Sequence, residues 1–540
     1  MTTATTTLAK LYTAGTPQTE RAHPRQVANN AGGFAFALDD WKRLERFLIL
    51  GSEAPTYYQS AKKLTRENAS CVARCYGADP VRTVETIVAV SESGRAPRVA
   101  PAIFALAIGT LSPDVAARQA AYGAVNRVCR TASHLFELTA TTQALGKGWG
   151  RGLKRAVARW YEDMDLAKLA LQAVKYRARN DMTHARALRL SHPTAKGDES
   201  RAALYRWMLG DQDLPEALPR IVHGHVDAMT GSRRHVAAIA TAHQLPWEAL
   251  PTQALADPDV WRALLPSMGL TALLRNLGRL TRLGVIAPLA DETAAICARL
   301  TDAGALRAAR VHPFGVLLAL AAYKAGQPIA AARRGVGDEA GWDPDAMVLA
   351  ALEEAFRLSF HNVEPTGKRH LIALDVSGSM DSSMLLNSHL SAREGSVAMA
   401  MATTAVEPRT HVVAFSSQSH ASKLAPVELA GIGIAQAIKR MSGMPFCGTD
   451  CSLPMAYALE RKIPVDAFVV YTDNETYAGR EHPHEALARY RRAMGINAKL
   501  IVVGMTSTGF TIADPTDAGM LDVVGFDSAA PAVMADFLRA

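Results

Sequence analysis

The sequence predicts a mainly α region followed by an α/β domain: a helical array, then a doubly wound, mostly parallel sheet. Three observations carry this expectation. From Leu38 to about Phe360 apolar residues recur at helical spacing and strand alternation is scarce. After His361 short apolar runs alternate with amphipathic stretches, as in successive β–α units. Between them, Asn362-Val363-Glu364-Pro365-Thr366-Gly367 places Pro and Gly where the helical pattern stops.

A chain of 540 residues is too long for one ordinary core. The expected division is a disordered leader over 1–25, a helical domain over 26–362 and an α/β domain over 363–540. Apolar content of 49% with 20% charged residues describes a globular protein. No run approaches the ~20 apolar residues of a membrane span, so no membrane contact is expected. The Thr- and Ala-rich start lacks the apolar segment of a secretory signal. Six cysteines (Cys71, Cys75, Cys129, Cys297, Cys447, Cys451) form no disulfide framework, which fits a cytoplasmic protein. Cys71/Cys75 and Cys447/Cys451 each place two thiols on one helical face. Neither pair has the second pair or histidine partners that zinc needs.

In the helical half, Ser112-Pro113-Asp114 reads as a helix start with Ser as cap, and Ala121, Val125 and Val128 then line one face. Pro101 to Leu111 is apolar around most of its circumference, as in a helix packed between neighbours. No clean repeat period emerges. Irregular helical pairs stacked into a solenoid or ring are expected.

The net charge of +8 is uneven. From Lys368 onward 15 Lys and Arg meet 17 Asp and Glu, so the preceding region carries the whole surplus, +10. Three basic groupings supply it. Arg151, Arg155 and Arg159, four apart, share one helical face near Trp149, Trp160 and Tyr161. Next comes Lys175-Tyr176-Arg177-Ala178-Arg179-Asn180, followed by His184, Arg186, Arg189 and His192. In the third, Leu270, Leu273, Leu274, Leu277 and Leu280 form a buried stripe opposite Arg275, Arg279 and Arg282. Any one such face is also what an ordinary solvated helix shows. Their density, with interleaved aromatics, favours a polyanion with unpaired bases. His184 and His192 read equally as packed, capping or functional histidines.

In the second half the expected strands are His370–Asp375, Thr410–Phe415, Asp466–Tyr471, Ala498–Gly504 and Leu521–Phe526. Helices are expected at Arg393–Val406, Ile432–Met441, Leu453–Glu460 and His484–Met494, with a last one running to Ala540. The first strand ends in Asp375-Val-Ser377-Gly-Ser379, oxygen donors at the sheet edge where open α/β sheets bind ligands. No base stands beside either serine, so a nucleophile is not indicated. A hard divalent cation, Mg2+ or Mn2+, suits these oxygens. Loops further on supply Thr449 and Asp473. The five together resemble the metal-ion-dependent adhesion site of von Willebrand factor A-type domains. Ser377, Ser379 and Thr449 would ligate directly and Asp375 and Asp473 partly through water. Neutral hydroxyls leave such an ion electron-poor, so an acidic protein ligand would complete its shell.

The whole chain resembles the TROVE-domain Ro ribonucleoprotein family, in its bacterial branch. The helical half carries this in Arg46-Phe47-Leu48, Gly51-Ser52-Glu53, Thr56-Tyr57-Tyr58, Trp149-Gly150-Arg151, Lys175-Tyr176 and Arg189-Leu190-Ser191-His192. The run from Leu270 to Gly278, His312-Pro313-Phe314 and the run from Glu364 to Arg369 continue it. The second half carries it in the runs 448–455, 472–476, 504–507 and 509–515. The resemblance implies a HEAT-like ring with a basic central hole that takes single-stranded 3′ ends of misfolded or structured non-coding RNAs. It also implies small Y RNAs on the outer surface, with Lys175, Arg179 and His192 as their contacts by motif position. Arg151, Arg155, Arg275 and Arg279 join them as RNA-binding candidates from the basic faces. Gly197 to Leu250, with Arg201, Arg206, Arg220, Arg233 and Arg234, departs from the family pattern.

The function this implies is RNA quality control, processing and degradation, including under stress, with an exoribonuclease partner recruited through Y RNA. The rival class is a metal-dependent protein-interaction or adhesion module resting on the A-type domain. An enzyme is not expected: no Gly-rich phosphate loop, activated nucleophile or carboxylate pair stands out.

Overall fold

The computed structural model describes residues 15–51, 69–146, 148–327, 341–359, 365–382, 390–416, 424–429, 431–442, 448–506, 508–527 and 529–540. The Gly51-to-Tyr58 motifs beyond Gly51, Cys447, the first residues of the expected leader and the 360–364 part of the boundary lie outside them.

Helices fill the first half from Asp40–Leu50 to Ala346–Ser359. Capping chemistry sets many of the starts. Asp39, Asp79, Asp165, Asp198, Asp257 and Asp302 each accept from a backbone N–H of the turn that follows. Ser112 does not cap as expected: it ends the Ala100–Leu111 helix, and Asp114 caps Val115–Gly123 by accepting from Ala116 N at 2.9 Å. With Pro113 between them, the carboxylate two residues closer to the turn is the better-placed acceptor. Ala100–Leu111 is buried on nearly every side, and Ala121, Val125 and Val128 are buried as expected.

The helical half closes on itself. Arg310 Nη1 donates to the Glu92 carbonyl at 2.9 Å, and a ring nitrogen of His312 meets the Arg95 carbonyl at 3.0 Å. These bonds join the end of Pro80–Ser93 to the start of Pro313–Lys324 across 218 and 217 positions of sequence. Arg299 fastens another joint by donating to the carbonyls of Leu265 and Met268.

The second half is a six-stranded sheet in the order Met520–Val524, Lys499–Gly504, Ala467–Thr472, His370–Asp375, Thr410–Phe415, Leu424–Pro426. All neighbours are parallel except the last pair. The central strands His370–Asp375 and Ala467–Thr472 are buried at every position, as a parallel sheet covered on both faces requires.

The leader departs from expectation. Gly15 to Arg25 packs on the A-type domain rather than being disordered, with Gln18 fully buried. Gln26–Ala28 and Phe34–Ala37 form a hairpin whose second strand pairs with Phe510–Thr511 of the other half. The halves are further joined by buried Arg46, which donates to the Thr508 and Phe510 carbonyls and pairs with Asp522 at 2.6 Å. Arg95 pairs with Asp527 at 2.6 Å.

Candidate functional site

Two regions carry the chemistry. The first lies where strands His370–Asp375 and Ala467–Thr472 leave the sheet side by side, which brings Asp375 and Asp473 together. Asp375 Oδ1 accepts from Ser377 N at 2.9 Å and Oδ2 from the Thr472 hydroxyl at 2.8 Å. The hydroxyls of Ser377 and Ser379 stand 3.1 Å apart, and Ser379 also bonds the Asp473 side chain. Asp473 is anchored by Glu475 N, which donates to Oδ1 at 3.0 Å. Thr449 is buried, its carbonyl accepting from Tyr477 N and Ala478 N at 3.1 and 3.0 Å. Burial holds the Asp375 carboxyl above its usual range, with the Asp473 charge adding to it. Burial raises Asp473 as well.

Two buried carboxylates beside the hydroxyls of Ser377, Ser379 and Thr472 are a donor set that fits a hard divalent cation, whereas the contacts of Thr449 run through its carbonyl. A cation there would offset the burial that lifts both carboxyls and the Asp473 charge that lifts Asp375 further. Buried Arg393 lies beneath the loop, donating to the Val376 carbonyl at 2.9 Å, and holds it from below. Thr472, which fixes the Asp375 oxygen, was not anticipated. Its place at the end of an apolar strand beside Asp473 is a usable signal.

The second region is the set of basic residues of the helical half, several of them exposed. The Arg151–Asp163 helix buries Leu153, Ala156, Val157, Trp160 and Tyr161 and exposes Arg151, Arg155 and Arg159. These three arginines make no ion pair among the described residues. Trp160 and Tyr161 belong to the core, Trp160 Nε1 donating to the Cys129 carbonyl at 2.5 Å and the Tyr161 hydroxyl bonding His184 at 2.9 Å. They offer no face to a base, and His184 is a packed histidine, held neutral by burial.

Lys175 ends the Leu166–Lys175 helix and Arg179 lies in a two-stranded hairpin, Ala178–Arg179 with Met182–Thr183. Asn180 and Asp181 turn that hairpin with φ of 50° and 59°, the left-handed region that short Asn and Asp side chains tolerate. His192 is exposed and ends the His184–Ser191 helix, also with positive φ. The three therefore flank one hairpin and the helix that follows it. Lys175 is 3.5 Å from Glu248, and Arg179 is 3.6 Å from Glu137. On Leu270–Arg282 the five leucines are buried as expected. Arg275 is exposed, whereas Arg279 lies over the Trp261 ring, 5.5 Å from its centroid. Arg201 is structural: it donates to the carbonyls of Tyr161 and Met164.

The TROVE domain model matches residues 27–213 and 233–327, and the Ro60 vWA domain model matches residues 369–538. The chain is 42% identical over 530 residues to the RNA-binding protein RO60 of Deinococcus radiodurans, covering 97% of each chain. It is 34% identical to the RNA-binding protein RO60 of Caenorhabditis elegans, over 96% of this chain and 91% of that one. The crystal structure of the Deinococcus radiodurans RO (RSR) protein matches with a TM-score of 0.69 and 40% identity. That match covers 93% of this chain and 99% of that one.

Proposed function

Because the chain belongs to the Ro60 family of TROVE-domain proteins, we propose that it binds RNA through its helical half and does no chemistry on it. The observation that carries this reading is the set of exposed cations that pair with no carboxylate among the described residues, Arg151, Arg155 and Arg159 above all. Phosphates neutralise such groups, releasing counterions as they do so.

Two RNA sites are proposed. The closed ring of helices takes a single-stranded 3′ end and refuses a duplex by its width. The outer face around Lys175, Arg179 and His192 takes a Y RNA, whose phosphates replace Glu248 and Glu137 as partners of the two cations. An RNA with a free tail beside a misfolded helix engages both. A bound Y RNA covers part of the outer face and gates entry, and an exoribonuclease recruited through it supplies the degradation in RNA quality control. The five described thiols are free, which suits the cytoplasm proposed for this work.

In the A-type domain, Asp375, Ser377, Ser379, Thr449 and Asp473 would hold Mg2+ or Mn2+. The ion would supply an electron-poor position for an acidic group of a protein partner. This adds a docking point to an RNA-binding protein.

Crosslinking the purified protein to cellular RNA and sequencing what is bound tests the assignment. Lys175→Ala with Arg179→Ala is expected to lose Y-type RNA while keeping the fold. An unchanged RNA profile would refute the outer-face site.

A further inference from the structure

Beside the hairpin that carries Arg179 lies a cavity of about 630 Å³. The hairpin and the start of the His184–Ser191 helix form one wall, through Thr183 and His184. Helices Glu199–Leu209 and Arg220–Thr230 form the other. The second helix lies in the stretch outside the TROVE match, and the first lies inside it.

The lining combines three kinds of group. Its inner surface is aromatic and thioether. Trp207 stands edge-on to His225, ring centroids 6.1 Å apart, and Met208 and Met229 flank them. His225 is fixed by a 2.7 Å hydrogen bond to the Ala249 carbonyl, so the surface is preorganised. Met229 is 46% exposed, an unusual degree for a methionine, and Leu209 beside the cleft is 39% exposed. At the rim Asp211 and Gln212 offer an acceptor and an amide. Arg177, also on the lining, is exposed and has neither ion pair nor hydrogen bond among the described residues. It differs in this from its neighbours Lys175 and Arg179, which are paired.

We propose that this cleft receives one unpaired nucleobase of an RNA held on the outer face, with Arg177 on the adjoining phosphate. A base has a flat apolar face for Trp207 and the methionines, a polar edge for Asp211 and Gln212, and a charge next to it for Arg177. A purely apolar segment would have no use for the polar rim. A second copy would bring a like-charged rim against this one. The proposal rests on the RNA-binding reading and deepens it. The outer face then discriminates among RNAs by an extruded base, which a regular duplex cannot present without unstacking.

The test uses the full chain and two blunt RNA duplexes, one fully paired and one with a single bulged nucleotide. Neither has a tail for the ring. Wild type is expected to prefer the bulged duplex by roughly tenfold, the scale of one stacked base. Met229→Glu, at an exposed position where no core packing is lost, is expected to abolish the preference and leave the paired duplex within about twofold. Trp207→Ala is expected to do the same. No preference in wild type overturns the proposal, as does an undiminished one in Met229→Glu. So does a wild-type dimer that Met229→Glu makes monomeric, because the cleft is then a self-interface. If wild type binds neither blunt duplex but does bind the same duplex with a 3′ tail, this proposal falls and the RNA-binding reading stands; if it binds none of the three, both fall.

Discussion

Gln18 Nε2 donates to Asp450 Oδ1 at 2.9 Å across 432 positions of sequence. Its amide oxygen accepts from the Thr476 hydroxyl at 2.5 Å and from Gly479 N at 3.1 Å, and Nε2 also reaches the Glu481 carbonyl at 2.9 Å. One buried side chain thus ties together the two loops that carry Thr449 and Asp473. Gln18→Ala orphans several buried groups, at about 1–3 kcal/mol for each one left unsatisfied. The variant should unfold at a clearly lower urea concentration. An unchanged midpoint would mean the N-terminal segment is not part of the folded unit.

A second tie is Arg46, whose guanidinium satisfies Asp522 and two backbone carbonyls at the junction of the halves. Arg46→Ala is expected to cost about 3 kcal/mol because Asp522 is left largely buried without its partner. Arg46→Lys should recover little, since a single ammonium cannot reproduce the fork. Equilibrium denaturation of both variants checks this, and full recovery by lysine would contradict it.

His184 supplies a pH dependence. Burial lowers its folded pKa to about 4, well below the ordinary 6.5. The unfolded chain therefore binds the proton more tightly. The associated stability is complete above about pH 6.5 and is lost as pH falls toward 4, by about 2–3 kcal/mol. His184→Gln should flatten that part of the stability profile. Urea midpoints of the two proteins at pH 7, 5.5 and 4.5 measure the difference.

The oxygen cluster has a signed prediction. Without a divalent cation, Asp473→Asn removes repulsion inside a buried pair and should raise the melting temperature. With Mg2+ or Mn2+, wild type should gain stability and the variant should not. Thermal melts in chelator and in each metal decide it. A wild type indifferent to both ions would remove the metal from the account.

Much of this architecture was legible because periodicity reports burial. The strands at His370 and Thr410 and the helix at Leu453 match their expected bounds, since parallel strands and the helices that cover them are continuous apolar runs. The pieces that escaped are short or depend on distant partners. Leu424–Pro426 is a three-residue edge strand, too brief for a pattern. Phe34-Ala-Phe-Ala alternates in plain view, yet beyond its hairpin mate Gln26–Ala28 it pairs with distant Phe510–Thr511. Gln18 looks like any polar residue of a loose terminus, and only Asp450 and Thr476 reveal why it is buried. At the basic face the spacing of Arg151, Arg155 and Arg159 foretold their exposure. That Trp160 and Tyr161 point inward follows from the same spacing. The partners Glu248 and Glu137 come from elsewhere in the ring and could not be read from the motif.

Salt dependence separates the cations that meet phosphate from those that merely face water. Each single-strand phosphate contact contributes about 0.7 to the slope of log affinity against log salt. Removing Arg151, Arg155 and Arg159 together should therefore reduce the slope by about 2 if all three touch RNA. An unchanged slope would assign them to an ordinary solvated face.

The most direct test of the central claim compares a duplex bearing a single-stranded 3′ tail with the same duplex cut blunt. Filter binding to the full chain is followed from about 50 to 300 mM salt. Tighter binding of the tailed RNA is expected at every salt concentration, with a steep fall in affinity as salt rises. Equal affinity for the two RNAs, or indifference to salt, would contradict it.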